Sequence, residues 1–124
     1  MVLPQISDSE WEVMTVLWAR APQGAQEVIA ALAGRRRWNS RTVRTFLNRL
    51  VKKGAVSYVA DGNRYLYRPA VSREQCIHEE SRSFVSRVFA GDAGAMLVQF
   101  VQQARLSAEE IRQLRKALEE KGKE

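Results

Sequence analysis

Asn39-Ser40-Arg41-Thr42-Val43-Arg44-Thr45-Phe46-Leu47-Asn48-Arg49-Leu50-Val51-Lys52-Lys53-Gly54 is the stretch whose reading decides the fold. Val43, Phe46, Leu47, Leu50 and Val51 recur at i, i+3, i+4, i+7 and i+8, the spacing of one core-facing helix stripe. Asn39 or Ser40 can cap the start. Gly54 ends the helix after Lys52 and Lys53, whose charges suit the negative end of the helix dipole. At about 100° per residue the opposite face carries Arg41, Thr45, Asn48 and Lys52, with Arg44 and Arg49 on its two flanks. Solubility asks for polar residues on such a face; it does not ask for so many cations.

Upstream, Ser7-Asp8-Ser9-Glu10 reads as a capping box, and the helix it opens places Trp11, Met14, Leu17 and Trp18 on one stripe with Val13 beside it. Ala21-Pro22-Gln23-Gly24 is expected to break that helix. A short second helix follows over residues 25–33, with Val28, Ile29 and Leu32 inward and Gly34 as its stop. Downstream, the β-prone runs Val56-Ser57-Tyr58-Val59 and Arg64-Tyr65-Leu66-Tyr67 enclose Ala60-Asp61-Gly62-Asn63, and Asp-Gly between such runs signals a hairpin. Three helices and then a two-stranded hairpin is the order of a winged helix-turn-helix, expected over residues 1–70.

The rest, residues 71–124, reads as further helices. Ser72 to Gln75 is a second capping box, opening a helix to about Phe89 with Ile77, Phe84, Val85, Val88 and Phe89 on one stripe. Gly91 to Gly94 is a break. Residues 95–103 are apolar nearly all round, through Met96, Leu97, Val98, Phe100 and Val101. A third capping box, Ser107 to Glu110, opens a helix with Ile111, Leu114 and Leu118 on one side, and the charged tail from Glu119 is expected to fray. These apolar faces exceed what a small winged-helix unit can cover. Wrapping around that unit is one solution. Self-association as a two-fold dimer is the more economical one, with Phe84, Val88, Leu97, Phe100, Val101, Ile111, Leu114 and Leu118 as the dimerising side chains. The fold class is therefore mainly α: a winged helix-turn-helix domain with a C-terminal helical dimerisation region.

Charge points to the partner. The 124 residues carry 20 Lys/Arg and 14 Asp/Glu, a net +6. Residues 1–70 hold 11 basic against 5 acidic residues, and residues 71–124 hold 9 of each. From Arg35 to Lys53 there are eight basic residues and no acid, the footprint expected for a polyanion partner. No window approaches about 18 consecutive apolar residues, so no membrane insertion is expected, and the N-terminus lacks the pattern of a secretory signal. The composition suits a soluble, intracellular chain.

Other chemistry is thin. Cys76 is the only cysteine. Cys76 and His78 would point about 200° apart on a helix and cannot share a metal. No Ser/His/Asp set, clustered carboxylates or phosphate loop suggests an enzyme, and no cofactor is expected. Trp11, Trp18 and Trp38 read as core and junction anchors rather than base-stacking platforms.

With these elements assembled, residues 38–54 resemble the recognition-helix segment of the BlaI/MecI/CopY penicillinase-repressor family. Residues 3–18 resemble its first helix, and Gly62 to Pro69 its wing. Leu97-Val98-Gln99-Phe100, continuing into Leu106 to Ile111, resembles its dimerisation segment. The resemblance covers nearly the whole chain. It implies a bacterial cytoplasmic transcriptional repressor that binds a palindromic operator on double-stranded DNA as a homodimer. In beta-lactam-responsive members a sensor-protease signal leads to cleavage between Asn and Phe in the dimerisation segment; the matching bond here is Gln99–Phe100. Copper-responsive relatives carry a C-terminal cysteine motif, which this chain lacks.

The helix chemistry stands beside that resemblance. In a winged helix-turn-helix the third helix enters the major groove, with its N-terminal residues nearest the bases. Arg41 can bond a guanine edge bidentately, and Thr42 and Thr45 can meet bases, phosphate or thymine methyls. Asn48 can read adenine from a deep-lying helix, and Lys52 continues the same cationic face. Arg44 and Arg49 suit flanking phosphates, and Arg64 on the wing a phosphate or the minor groove. The alternative for Arg44 and Arg49 is ion pairing with Glu27 or Glu12. The alternative for the whole chain is a winged-helix module that binds protein, which would favour an apolar or mixed-charge outer face.

Overall fold

Local capping sets most of the element starts. The computed structural model describes residues 3–124. Helix α1 spans Asp8–Ala19 behind the Ser7/Glu10 capping box. The Ser7 N–H donates to Glu10 Oε1 at 2.9 Å, and the Glu10 N–H returns to Ser7 Oγ at 3.2 Å. Strand β1 (Gln23–Gly24) leads into α2 (Ala25–Ala33), and α3 covers Ser40–Lys53. Strands β2 (Val56–Asp61) and β3 (Arg64–Pro69) follow, then α4 (Arg73–Val88), α5 (Ala93–Gln103) and α6 (Ala108–Gly122).

The sheet has three strands in the order β1-β3-β2, all antiparallel. A two-stranded hairpin was the expectation, and Gln23-Gly24 was read only as part of a helix break. The residues that end α1 also supply an edge strand, with Gln23 opposite Tyr67 and Gly24 opposite Leu66. A two-residue strand carries no periodicity of its own, so pairing alone reveals it. The hairpin turn is also tighter than expected. Asp61 pairs with Arg64, so Gly62-Asn63 alone forms the loop, and the positive φ of 62° falls on Gly62, its first residue.

The core gathers one face of each of the first three helices. Val13, Met14, Leu17, Val28, Leu32, Val43, Leu47 and Leu50 are all within 1% of full burial. Each contributes about 1.5–3 kcal/mol by leaving water. Trp11 and Trp18 pack edge to face on the rim, and the Trp18 indole N–H donates to the Val71 carbonyl at 3.0 Å. Val71 and Cys76 join the same core. This first compact unit therefore runs on to Glu80, past the 1–70 span expected for the winged helix; residues 1 and 2 of that span lie outside the described residues.

The second compact unit is Ser81–Glu124. Phe84, Phe89 and Phe100 cluster with ring centroids 5.9–6.4 Å apart. No residue of this unit is buried. Helix α5 starts two residues before the expected Ala95, because Asp92 caps it through the Ala95 N–H. Helix α6 opens on the Ser107/Glu110 capping box and continues to Gly122, through most of the tail expected to fray.

Candidate nucleic-acid interface

Helix α3 is fixed from both ends and from below. Asn39 Oδ1 accepts from the Thr42 N–H at 2.8 Å, which settles the cap on Asn39 rather than Ser40. Such a cap contributes about 1 kcal/mol. Gly54 closes the helix at φ 82°, a left-handed conformation that favours glycine, with its N–H turned to the Leu50 and Val51 carbonyls. Val43, Leu47 and Leu50 are buried beneath, and Trp38 packs on Phe46 at 5.0 Å between centroids.

The outer face is as the spacing requires. Arg41, Arg44, Thr45, Asn48, Arg49 and Lys52 are exposed, and Thr42 is half-buried. The Thr45 hydroxyl donates to the Arg41 carbonyl at 3.0 Å, which leaves its methyl and lone pairs for a partner. Arg49 lies 6.0 Å from the Phe46 ring centre. Among the described residues, Arg41, Arg44, Arg49 and Lys52 enter no ion pair.

The carboxylates weighed as partners for Arg44 and Arg49 are taken by other cations. Glu12 bonds Arg36 at 3.0 Å, and Glu27 bonds Arg64 at 2.7 Å with Arg20 at 3.6 Å. Lys53 is withdrawn from the cationic face. Its ammonium donates to the buried Glu10 carboxylate and to the Gln5 carbonyl at 2.9 Å. Burial pushes the Glu10 carboxyl up, but the bonds from Lys53 and Ser7 outweigh it and hold the group below its ordinary range. Arg64, expected to face DNA from the wing, is instead bonded to Glu27 and lies 4.0 Å from Asp61. It remains more than half exposed.

Beside α3, a cleft of about 410 Å³ opens between the recognition helix, the first turn of α2 and the wing. Gly24, Ala25, Gln26, Arg44, Asn63, Arg64, Tyr65 and Tyr67 line it. Sequence reasoning missed all of these but the two arginines. The available signal was the alternation that puts Tyr65 and Tyr67 on one face of β3, with Tyr58 stacked against them from β2.

The residues expected to dimerise lie in the second half. Phe84 is half-buried, while Val88, Leu97, Phe100, Val101, Ile111, Leu114 and Leu118 are exposed. The Gln99–Phe100 bond lies within α5, and both residues are exposed. Cys76 is buried and its thiol is pushed up by burial, whereas His78 is exposed. Among the described residues no three His, Cys, Asp or Glu side chains group to hold a metal. No single helix is long and apolar enough to cross a membrane.

Comparison with known proteins bears on this face. The profile of the Penicillinase repressor family matches residues 6–120. A penicillinase repressor of Bacillus licheniformis is 38% identical over 118 residues, covering 95% of this chain and 92% of that protein. The methicillin resistance regulatory protein MecI of Staphylococcus aureus strain N315 is 31% identical over 117 residues, covering 94% of this chain and 95% of that protein. Among solved structures, the DNA-binding domain of the repressor BlaI superposes with a TM-score of 0.54 at 39% identity, covering 58% of this chain and 88% of that one. The Bacillus licheniformis BlaI monomeric form in complex with the blaP half-operator gives a TM-score of 0.53 at 38% identity, covering 59% of this chain and 89% of that one.

Proposed function

The chain belongs to the penicillinase repressor family and is a DNA-binding transcriptional repressor; from that premise we propose that it acts as a cytoplasmic homodimer on a palindromic operator, by binding alone and without catalysis. The observation that carries this reading is the outer face of α3, where Arg41, Arg44, Arg49 and Lys52 stand exposed without a carboxylate partner on a rigid apolar base. Arg41 and Thr42, nearest the helix N-terminus, read base edges with Thr45 and Asn48. Arg44, Arg49 and Lys52 neutralise phosphates and set the register, and Arg64 joins them by exchanging Glu27 for a phosphate.

Residues 71–124 supply the second reader. Within them the unit Ser81–Glu124 has no buried side chain and little hydrophobic free energy to offset its chain entropy, so a second copy covering Leu97, Phe100, Val101, Ile111, Leu114 and Leu118 is what stabilises it. The BlaI relative bound to a half-operator as a monomer supports a full site of two halves. Joining two readers multiplies affinity through effective concentration, so separating the copies releases the operator without touching α3. Cleavage at Gln99–Phe100 by a sensor-protease system is one such event, and it requires α5 to unwind locally, since a helical bond is not extended for attack.

The test is binding of the full chain to its operator, selected from a random duplex pool, as salt is raised. A steep loss of affinity with a preference for a two-fold symmetric sequence is expected. Salt-insensitive binding, or no preference among duplexes, would overturn the reading.

A further inference from the structure

Within the basic run from Arg35 to Lys53, Arg36 and Lys53 are held by carboxylates of α1. Arg36 sits in the connection between α2 and α3, whose residues 36–39 form neither helix nor strand. The Arg35 and Arg36 amides close α2 onto the Leu32 carbonyl at 3.0 Å each. Beyond them, no backbone hydrogen bond among the described residues holds Arg37 or Trp38 before the Asn39 cap begins α3. The entry of the recognition helix therefore depends on side chains.

Those side chains form an unbroken series. The Arg36 guanidinium donates to Glu12 Oε1 at 3.0 Å and lies 5.7 Å from the centre of the Trp38 ring. Trp38 packs edge to face on Phe46, with 5.0 Å between centroids, and both rings lie against the core. A cation over an aromatic face and an edge-to-face ring pair each favour particular orientations as well as distances. The series thus runs from α1, through an otherwise unsecured connection, into the first half of α3. Arg41 follows Trp38 by three residues. A bidentate contact to a base edge needs its donors within about 0.5 Å of the productive geometry.

We propose that Glu12, Arg36 and Trp38 are positioning residues for operator recognition: without touching DNA, they hold the entry of α3 so that Arg41 and Thr42 meet base edges. The role rests on the DNA-binding reading of α3. It differs from the role given to Arg44, Arg49 and Lys52, because it acts on the preference among sequences and not on the general attraction to phosphate. The Arg36 side chain is 51% exposed, so a direct phosphate contact is the rival role, and the experiment separates the two.

The full chain is titrated with its selected operator duplex and with a random duplex, at several salt concentrations. Glu12→Met gives the sharpest contrast. Removing an acid near a cationic face strengthens attraction to any duplex, whereas losing the brace weakens operator binding. The variant is expected to lose about fivefold in the ratio of operator to random affinity, with random binding unchanged or tighter. Arg36→Met is expected to lower the ratio by about the same factor, while its slope of log affinity against log salt on the random duplex stays at the wild-type value. Trp38→Leu should lower the ratio likewise, and Trp38→Phe, which keeps a ring against Phe46, should retain most of it. Glu12→Met combined with Arg36→Met should lose no more than either alone, since both break one link. Both affinities come from one preparation, so partial unfolding of a variant cancels in the ratio. A wild-type ratio in Glu12→Met and Arg36→Met overturns the proposal. So does a salt slope lowered by about one in Arg36→Met with operator and random duplexes weakened alike, which would make Arg36 a phosphate contact. Absence of any preference in the wild type would instead remove the DNA-binding reading itself.

Discussion

The Lys53 ammonium, at the last residue of α3, donates to Glu10 Oε1 at 2.5 Å, tying the end of the recognition helix to the capping box of α1. The two partners are unequal. Glu10 is 1% exposed and its Oε2 has no partner, while the Lys53 side chain is 36% exposed. Removing the lysine strands a buried carboxylate; removing the carboxylate frees a lysine that water can reach.

Lys53→Met is therefore expected to cost about 3 kcal/mol of folding stability, toward the lower end for a broken buried pair because water reaches this one. Glu10→Gln should cost less, about 1–2 kcal/mol, since the amide can still accept from the Ser7 N–H. Urea denaturation of the two variants checks the order, and equal costs would contradict the asymmetry.

The same pair sets a pH dependence. The folded Glu10 carboxyl is held below its ordinary value, so its contribution is complete above the unfolded value and is lost as pH falls through the folded one. Stability should therefore fall on acidification below about pH 4.5, and Glu10→Gln should reduce the slope there. Denaturation midpoints between neutral and acidic pH provide the measurement.

Arg41→Ala is expected to lose about 1–3 kcal/mol of binding at one base position and to relax the preference there. Arg49→Ala should weaken all sequences alike and lower the slope of log affinity against log salt by about one. Titrations of operator and base-substituted duplexes at several salt concentrations distinguish the two. A sequence-selective effect from Arg49 would reverse the assignment.

Phe100→Glu places a charge among the exposed apolar side chains of α5 while leaving the first compact unit untouched. The variant should sediment as single chains at micromolar concentration and lose most operator affinity, yet keep the melting transition of the winged-helix core. A fragment ending at Gln99 should likewise fold and bind poorly. Full operator affinity from either would show that dimerisation is not the source of avidity.

Gly54→Ala meets nothing within 4 Å, so its expected cost of about 1 kcal/mol comes from the backbone at φ 82° alone. Thermal melting measures it, and an unchanged midpoint would show that the end of α3 adapts.

Much of the architecture could be read along the chain because its signals are local. The stripe from Val43 to Val51, the three Ser-led capping boxes and the hairpin each lie within one element, where a spacing of 3.6 or 2 residues dictates which side chain faces inward. Strand β1 escaped that reading because two residues have no period. The hairpin loop was read as four residues, Ala60 to Asn63, where Gly62-Asn63 alone forms it, because cross-strand register, not composition, locates a turn.

By itself, the sequence determined that α3 carries an apolar stripe beneath a cationic face, since both follow from helical periodicity. Which cations remain available for DNA was decided by the tertiary structure. Glu10 captures Lys53 across 43 residues, and Glu27 captures Arg64 across 37, so neither pairing leaves any trace in local spacing. A charge or a donor is defined by its residue, but its partner is defined by what folding brings within bonding distance.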